Sequence, residues 1–200
     1  ADWVDGEYYG CIYGGTLVHF DMDNNSWETI GSTGDFVGMA YVNSEATMYG
    51  LDFNGGLYTV DLETGATTSI GTGAANMITM ACDNDGNLYA VDLGTDTWGS
   101  IDKETGAWTT IGAIGFDCSY AQDAGLDRAT NTIFWAAYDV SAGGKLCILD
   151  TETGSVPLVG GFPNGAEIAG FAVPSSYGGG PGGGGEVPAG LLAFNVYQDD

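Results

Sequence analysis

Basic residues are almost missing from this chain. Lys103, Arg128 and Lys145 stand against 27 Asp and Glu, for a formal net charge of −24. A surface of that sign repels nucleic acid and anionic membrane, so both are set aside as partners, while cations and cationic surfaces are attracted. Histidine is nearly absent too. His19 is the single copy, it sits in an alternating apolar strand, and no G-x-S-x-G, H-E-x-x-H or Cys/His pair accompanies it, so catalytic machinery is not expected. The four cysteines, Cys11, Cys82, Cys118 and Cys147, lack C-x-x-C spacing, which argues against zinc or redox motifs. No segment has a helical pattern with caps. No apolar run approaches the roughly 18 residues of a membrane span.

What the chain does have is one sentence written four times. It reads LVHFDMDNNSWETIG at 17–31, LYTVDLETGATTSIG at 57–71, WGSIDKETGAWTTIG at 98–112 and LCILDTETGSVPLVG at 146–160. The matching Asp21, Asp61, Asp102 and Asp150 fall 40, 41 and 48 residues apart, the period of a four-stranded propeller blade. Each copy explains itself as a hairpin: an alternating strand ends at Asp, a turn follows with Gly where positive φ is needed, and a Thr-rich strand begins. The first copy has Asn25 in the Gly slot, the common non-Gly residue that tolerates this conformation.

Two more strands flank each hairpin. Small-residue-rich segments at 36–42, 77–83, 120–127 and 167–173 suit an innermost strand crowded around an axis. The aromatic, β-branched stretches YGLDF, YAVDL and WAAYD suit the second strand. The expected fold is therefore all-β, a four-bladed β-propeller occupying residues 1–174. Residues 7–31 supply only three strands, and 167–173 is an inner strand without a blade. Pairing 167–173 with the strand near 8–13 is expected to close the ring through one composite blade and remove open edges. The 35 Gly and 12% aromatic content agree with many turns between short strands.

Candidate sites are few. Asp83, Asp85 and Asn87 resemble the start of a calcium loop, because alternate oxygens can converge on a hard cation; the bidentate Glu of an EF-hand does not follow. Asp21, Asp23 and Asn25 have the same spacing but coincide with the first repeat turn. Calcium is thus the one cofactor to test, beside the reading as plain turn structure. Cys11 and Cys147, placed on neighbouring blades by register, form one candidate disulfide, set against four buried thiols acting as small apolar residues. Trp3, Trp27, Trp98, Trp108 and Trp135 either stack on sugars or pack between blades.

Beyond residue 174 comes a Gly-rich linker at 175–188, then a strand-like LLAFNVY within 189–200. The repeats, DNDGNLYAVDLGTDTWGS and EIAGFAVP resemble propeller regions of large secreted and cell-surface proteins of Bacteroidota-type bacteria. LLAFNVYQDD resembles the L-x-G-F-N-V-Y-R-D-G opening strand of the fibronectin-III-like modules that follow in such proteins, departing from it at Ala193 and Gln198. The resemblance implies export and adhesion or surface assembly, without an assigned catalytic site. The small first residue of the chain is what cleavage after an A-x-A site leaves, which also points to an extracellular location. An apolar strand carrying Leu191, Leu192, Phe194, Val196 and Tyr197 is an aggregation hazard in water. It is expected to add to a neighbouring copy as an assembly strand. The alternative is a carbohydrate- or protein-binding adhesin module of a larger secreted protein.

Overall fold

The structure is a computed structural model and describes residues 1–21 and 24–173, together with the backbone of Leu192–Phe194. Four four-stranded antiparallel sheets stand around a common axis as the blades of a four-bladed β-propeller. Blade 1 holds β1 (Asp2–Val4), β2 (Glu7–Ile12), β3 (Thr16–Asp21) and β4 (Ser26–Ser32). Blade 2 holds β5 (Phe36–Val42), β6 (Thr47–Asp52), β7 (Gly56–Val60) and β8 (Thr67–Thr72). Blade 3 follows with β9 (Met77–Cys82), β10 (Leu88–Asp92), β11 (Thr97–Ile101) and β12 (Trp108–Ala113), and blade 4 with β13 (Asp123–Asp127), β14 (Thr132–Asp139), β15 (Gly143–Leu149) and β16 (Leu158–Gly161).

Burial runs from the axis outward, as the repeat implies. β9 is buried throughout, whereas β8 has no buried residue. Apolar clusters fill the spaces between blades: one large cluster joins blades 2, 3 and 4, and a second joins Val4 and Leu17 of blade 1 to Met39, Met48 and Val60 of blade 2. Carboxylates cap the turns. Oδ1 of Asp61 accepts from the Glu63 and Thr64 amides, and Asp102 and Asp150 bond the matching positions. The Thr105 hydroxyl on Asp102 and the Thr153 hydroxyl on Asp150, with the amide bonds at all three turns, hold the three carboxyls below the ordinary range. Much of the acidity is therefore turn chemistry.

The closure differs from the expected one. The inner strand of blade 1 is β1, which pairs antiparallel with β2 through Trp3 opposite Tyr8. The expected pairing of 167–173 with the strand near 8–13 does not form. Instead β17 (Gly170–Ala172) takes an inner position at the seam, packed against β13 on one side and β1 on the other. It pairs with β18 (Leu192–Phe194) of its own chain, Phe171 opposite Ala193. The N- and C-terminal strands do meet, but side by side as inner strands rather than within one sheet.

Candidate functional site

The seam between blades 4 and 1 is where the chain departs from its repeat. Inner strands that converge on an axis cannot all ladder with one another, so their inward amides need other acceptors. Two buried aspartates fill that need. Oδ2 of Asp2 accepts from the Tyr41 amide at 2.6 Å and its Oδ1 from the Trp3 amide at 2.7 Å. Oδ2 of Asp123 accepts from the α-ammonium of Ala1 at 2.9 Å and from the Phe171 amide at 3.0 Å. Thr79 Oγ1 donates to its other oxygen at 3.4 Å. Asp123 thereby ties β1, β9 and β17 to β13. Burial raises the pKa of both carboxyls, against the opposing pull of these bonds. Arg128 adds a donor to the Tyr41 carbonyl at 2.8 Å.

Two apolar walls flank β17. On the blade 1 side Trp3, Tyr8 and Phe20 pack with Ala172. On the blade 4 side Phe171, wholly buried, packs with Ala136 and Ile168, and Phe134, Leu146, Phe162 and Val173 lie against them. Trp27 on β4 lies over Phe20 with centroids 4.7 Å apart, still half exposed. The assembly strand expected from the sequence maps here. The backbone of Leu192–Phe194 is β18, so in this structure the stretch pairs within its own chain, where the sequence led us to expect a neighbouring copy. Leu191, Val196 and Tyr197 lie outside the described residues.

Between complete blades a second arrangement recurs. The repeat Gly of each outer strand lies opposite a large apolar residue, Gly31 to Leu17, Gly71 to Leu57 and Gly112 to Trp98, all three buried, and Gly160 to the half-buried Leu146, each beside a bulge. The turn of the next blade seats its backbone on that Gly. Thr64 O covers Gly31, Thr105 O covers Gly71 and Gly154 O covers Gly112, each so near that a Cβ there would lie well inside 3.0 Å. Trp98 reinforces the last joint by donating to Gly154 O at 3.1 Å. Gly160, at the seam, has no described atom within 4 Å of its Cβ position.

The other sequence candidates are placed as follows. Asp83, Asp85 and Asn87 lie in the loop between β9 and β10. Asp83 is buried, and both its oxygens are used: Oδ1 takes the Asn87 amide at 2.8 Å, and Oδ2 takes Asn87 Nδ2 at 2.8 Å and the Tyr89 hydroxyl at 2.9 Å. Asp85 is exposed. Calcium at this loop would compete with those bonds; among the described residues no three His, Cys, Asp or Glu side chains converge to hold a metal ion. His19 Nε2 bonds Glu7 at 2.9 Å and its ring lies 4.9 Å from Tyr9. The four cysteines are free, so Cys11 and Cys147 do not pair. Trp98 and Trp135 are wholly buried blade packing, and Trp3 lines the seam. Sequence reasoning missed Asp2 and Asp123, since a carboxylate in a short inner strand looks like any other Asp of an acidic chain.

No family model matches this chain, and no curated protein does. Solved structures do match, and they agree on a β-propeller module. A Bacteroides thetaiotaomicron protein of unknown function superposes with a TM-score of 0.63 at 16% identity, over 84% of this chain and 48% of that one. An auxiliary nutrient binding protein from Bacteroides ovatus gives 0.59 at 15%, over 78% and 39%. Virginiamycin B lyase from Staphylococcus aureus gives 0.54 at 13%, over 86% and 57%. This chain spans about half the length of those proteins.

Proposed function

We propose that this chain is an extracellular structural subunit that assembles by exchanging its C-terminal strand. The β17–β18 pairing supports this reading. β17 occupies an inner seam position, yet its partner strand is supplied from across residues 173–191, which include the Gly-rich 175–188. A strand joined through so long a connection makes the same main-chain bonds with its own β17 or with that of a neighbouring copy, which is the geometry of strand exchange and β-augmentation. The residues 178–185, seven Gly and one Pro, span up to about 25 Å when extended, enough to reach an adjacent propeller. The assembly strand is then Leu191, Leu192, Phe194, Val196 and Tyr197, and the product is a homopolymer, a filament or surface array. The subunit carries no catalytic site in this reading, and His19→Ala leaves its behaviour unchanged.

The test is a chain ending at Ser176, compared with the full chain by light scattering and negative-stain imaging. It should remain folded and monomeric where the full chain assembles. Ladder amides alternate along an antiparallel strand, so one of Leu192→Pro and Ala193→Pro removes a bond to β17 and weakens assembly without shortening the chain. Unchanged assembly by the truncated chain refutes strand exchange. The reading as a glycan- or protein-binding module of a larger secreted protein, which draws support from the nutrient-binding neighbour, then takes its place.

A further inference from the structure

The residue after each repeat Asp stands at a joint between two blades. It is Leu62 where blade 2 meets blade 1, Lys103 where blade 3 meets blade 2, and Thr151 where blade 4 meets blade 3. Leu62 is half-buried and packs on the apolar cluster that joins blades 1 and 2. Lys103 is half-buried too: its ammonium bonds Glu45, whose other oxygen takes the Tyr49 hydroxyl at 2.7 Å. Thr151 is shorter and exposed, and its hydroxyl bonds no described residue. Beside it an open cleft of about 380 Å³ lies between blades 3 and 4, within the size range of small-ligand sites.

The floor of the cleft is one cross-strand row of blade 3. Tyr89 lies opposite Ser100 and Ser100 opposite Thr109, so the three share the face that looks toward blade 4, as Trp98 does through its bond to Gly154. Thr151 lines the cleft from blade 4, and Asp102 and the part-exposed Ile111 from blade 3. The Tyr89 hydroxyl is already given to Asp83, so this residue offers only its ring. Oδ1 of Asp102 takes all three bonds of its turn, from the Glu104 and Thr105 amides and the Thr105 hydroxyl. That leaves Asp102 Oδ2 and the hydroxyls of Ser100, Thr109 and Thr151 without a hydrogen-bond partner among the described residues. No Lys or Arg lines the cleft.

We propose that this cleft binds a small neutral saccharide. Three hydroxyls that donate and accept, beside a carboxylate oxygen that accepts, match neighbouring sugar hydroxyls, which also do both. Tyr89 and Ile111 add apolar surface for the C–H groups of a sugar ring. An anionic ligand finds no cation here and a net charge of −24 around it. A cationic amine finds the single carboxylate of Asp102, open to water and screened by it. The site lies away from the tail strand and goes beyond the assembly reading.

The probes are maltose, cellobiose, lactose and xylobiose, titrated to millimolar concentration into the isotope-labelled full chain while its amide resonances are followed. At least one sugar should give saturable shifts at Ser100, Asp102, Thr109 and Thr151, with an affinity unchanged by added salt. Thr151→Leu installs the residue of the first joint; it should keep the wild-type melting temperature and weaken that sugar about tenfold or more. Ser100→Ala removes one hydroxyl and should weaken it about threefold or more, which keeps the test open if Thr151→Leu does not fold. The absence of shifts with all four sugars overturns the proposal, as does undiminished binding by both folded variants. Spermidine binding these residues more tightly than every sugar makes the cleft a cation site and also overturns it. A chain ending at Ser176 should bind as the full chain does, and loss of binding on truncation overturns a site built from blades 3 and 4 alone. Strand exchange is read from assembly, so each of these failures leaves it standing.

Discussion

Gly71→Ala is the sharpest probe of how the blades are joined. The added methyl carbon would lie well inside 3.0 Å of Thr105 O, and that oxygen belongs to backbone held by two amide bonds to Asp102. Neither partner is a flexible side chain that can turn away. To reach ordinary contact, blades 2 and 3 must part by about 1.5 Å. The parting loosens Leu57 and Ile70 against the core, which costs about 2–3 kcal/mol in the manner of overpacking. For a chain of this size that lowers the melting temperature by about 4–12 °C. Gly160→Ala is the control, because its Cβ meets nothing described and its φ is not positive. It should be neutral, or stabilise by up to about 1 kcal/mol by restricting the unfolded chain. Urea unfolding of both variants measures the difference directly. Equal effects at the two positions would refute the view that the repeat Gly exists to admit the next turn.

The axial carboxyls predict a pH dependence. Burial raises Asp2 and Asp123 when folded, so the stability they allow is fully present below their unfolded value of 3.8 and is lost as pH rises through the folded values. The contribution of these two carboxyls should therefore grow as pH falls through their raised folded values, and this slope should flatten in Asp2→Asn and Asp123→Asn; an unchanged slope counts against the assignment. Thiol labelling should find Cys82, Cys118 and Cys147 inert in the folded chain, with burial pushing them to about 12, 12 and 11, and all four reactive in denaturant. Asp83→Ala should destabilise by about 2–4 kcal/mol, since it strands the buried Tyr89 hydroxyl and the Asn87 amide. If calcium occupies this loop, it should raise the wild-type melting temperature, and Asp85→Ala should remove that rise.

The blades were legible because their turns are chemically distinctive. Asp61, Asp102 and Asp150 with Gly65, Gly106 and Gly154 mark hairpins wherever they occur, and the strand order follows from spacing. β1 was missed although its signal was present: Asp5 and Gly6, both at positive φ, make the two-residue hairpin turn onto Glu7. Three residues are too few to show alternation, so the turn had to carry the inference alone. The partner of β17 was illegible for a different reason. Pairing across residues 173–191 is set by what lies next to the seam, and no periodicity in the chain reports that. Gly160 reads the same as Gly71 in sequence; what distinguishes them is that no described atom lies within 4 Å of the Cβ position at Gly160.

The seam also sets an order of events during synthesis. β1 emerges first, but its flank of Trp3, Tyr8 and Phe20 is covered on the seam side by Ala172, and Asp123 must be made before it can hold Ala1. Blades 2 to 4 can condense from neighbouring contacts while that aromatic flank waits. Closing the ring therefore depends on contacts between the two ends of the chain, the kind that form slowly. During that interval the waiting flank is exposed apolar surface, and crowding at the moment of folding favours misassembly there. In the assembly reading proposed above, the choice between a monomer and a link in a chain is then kinetic, set by local concentration while the seam waits to close.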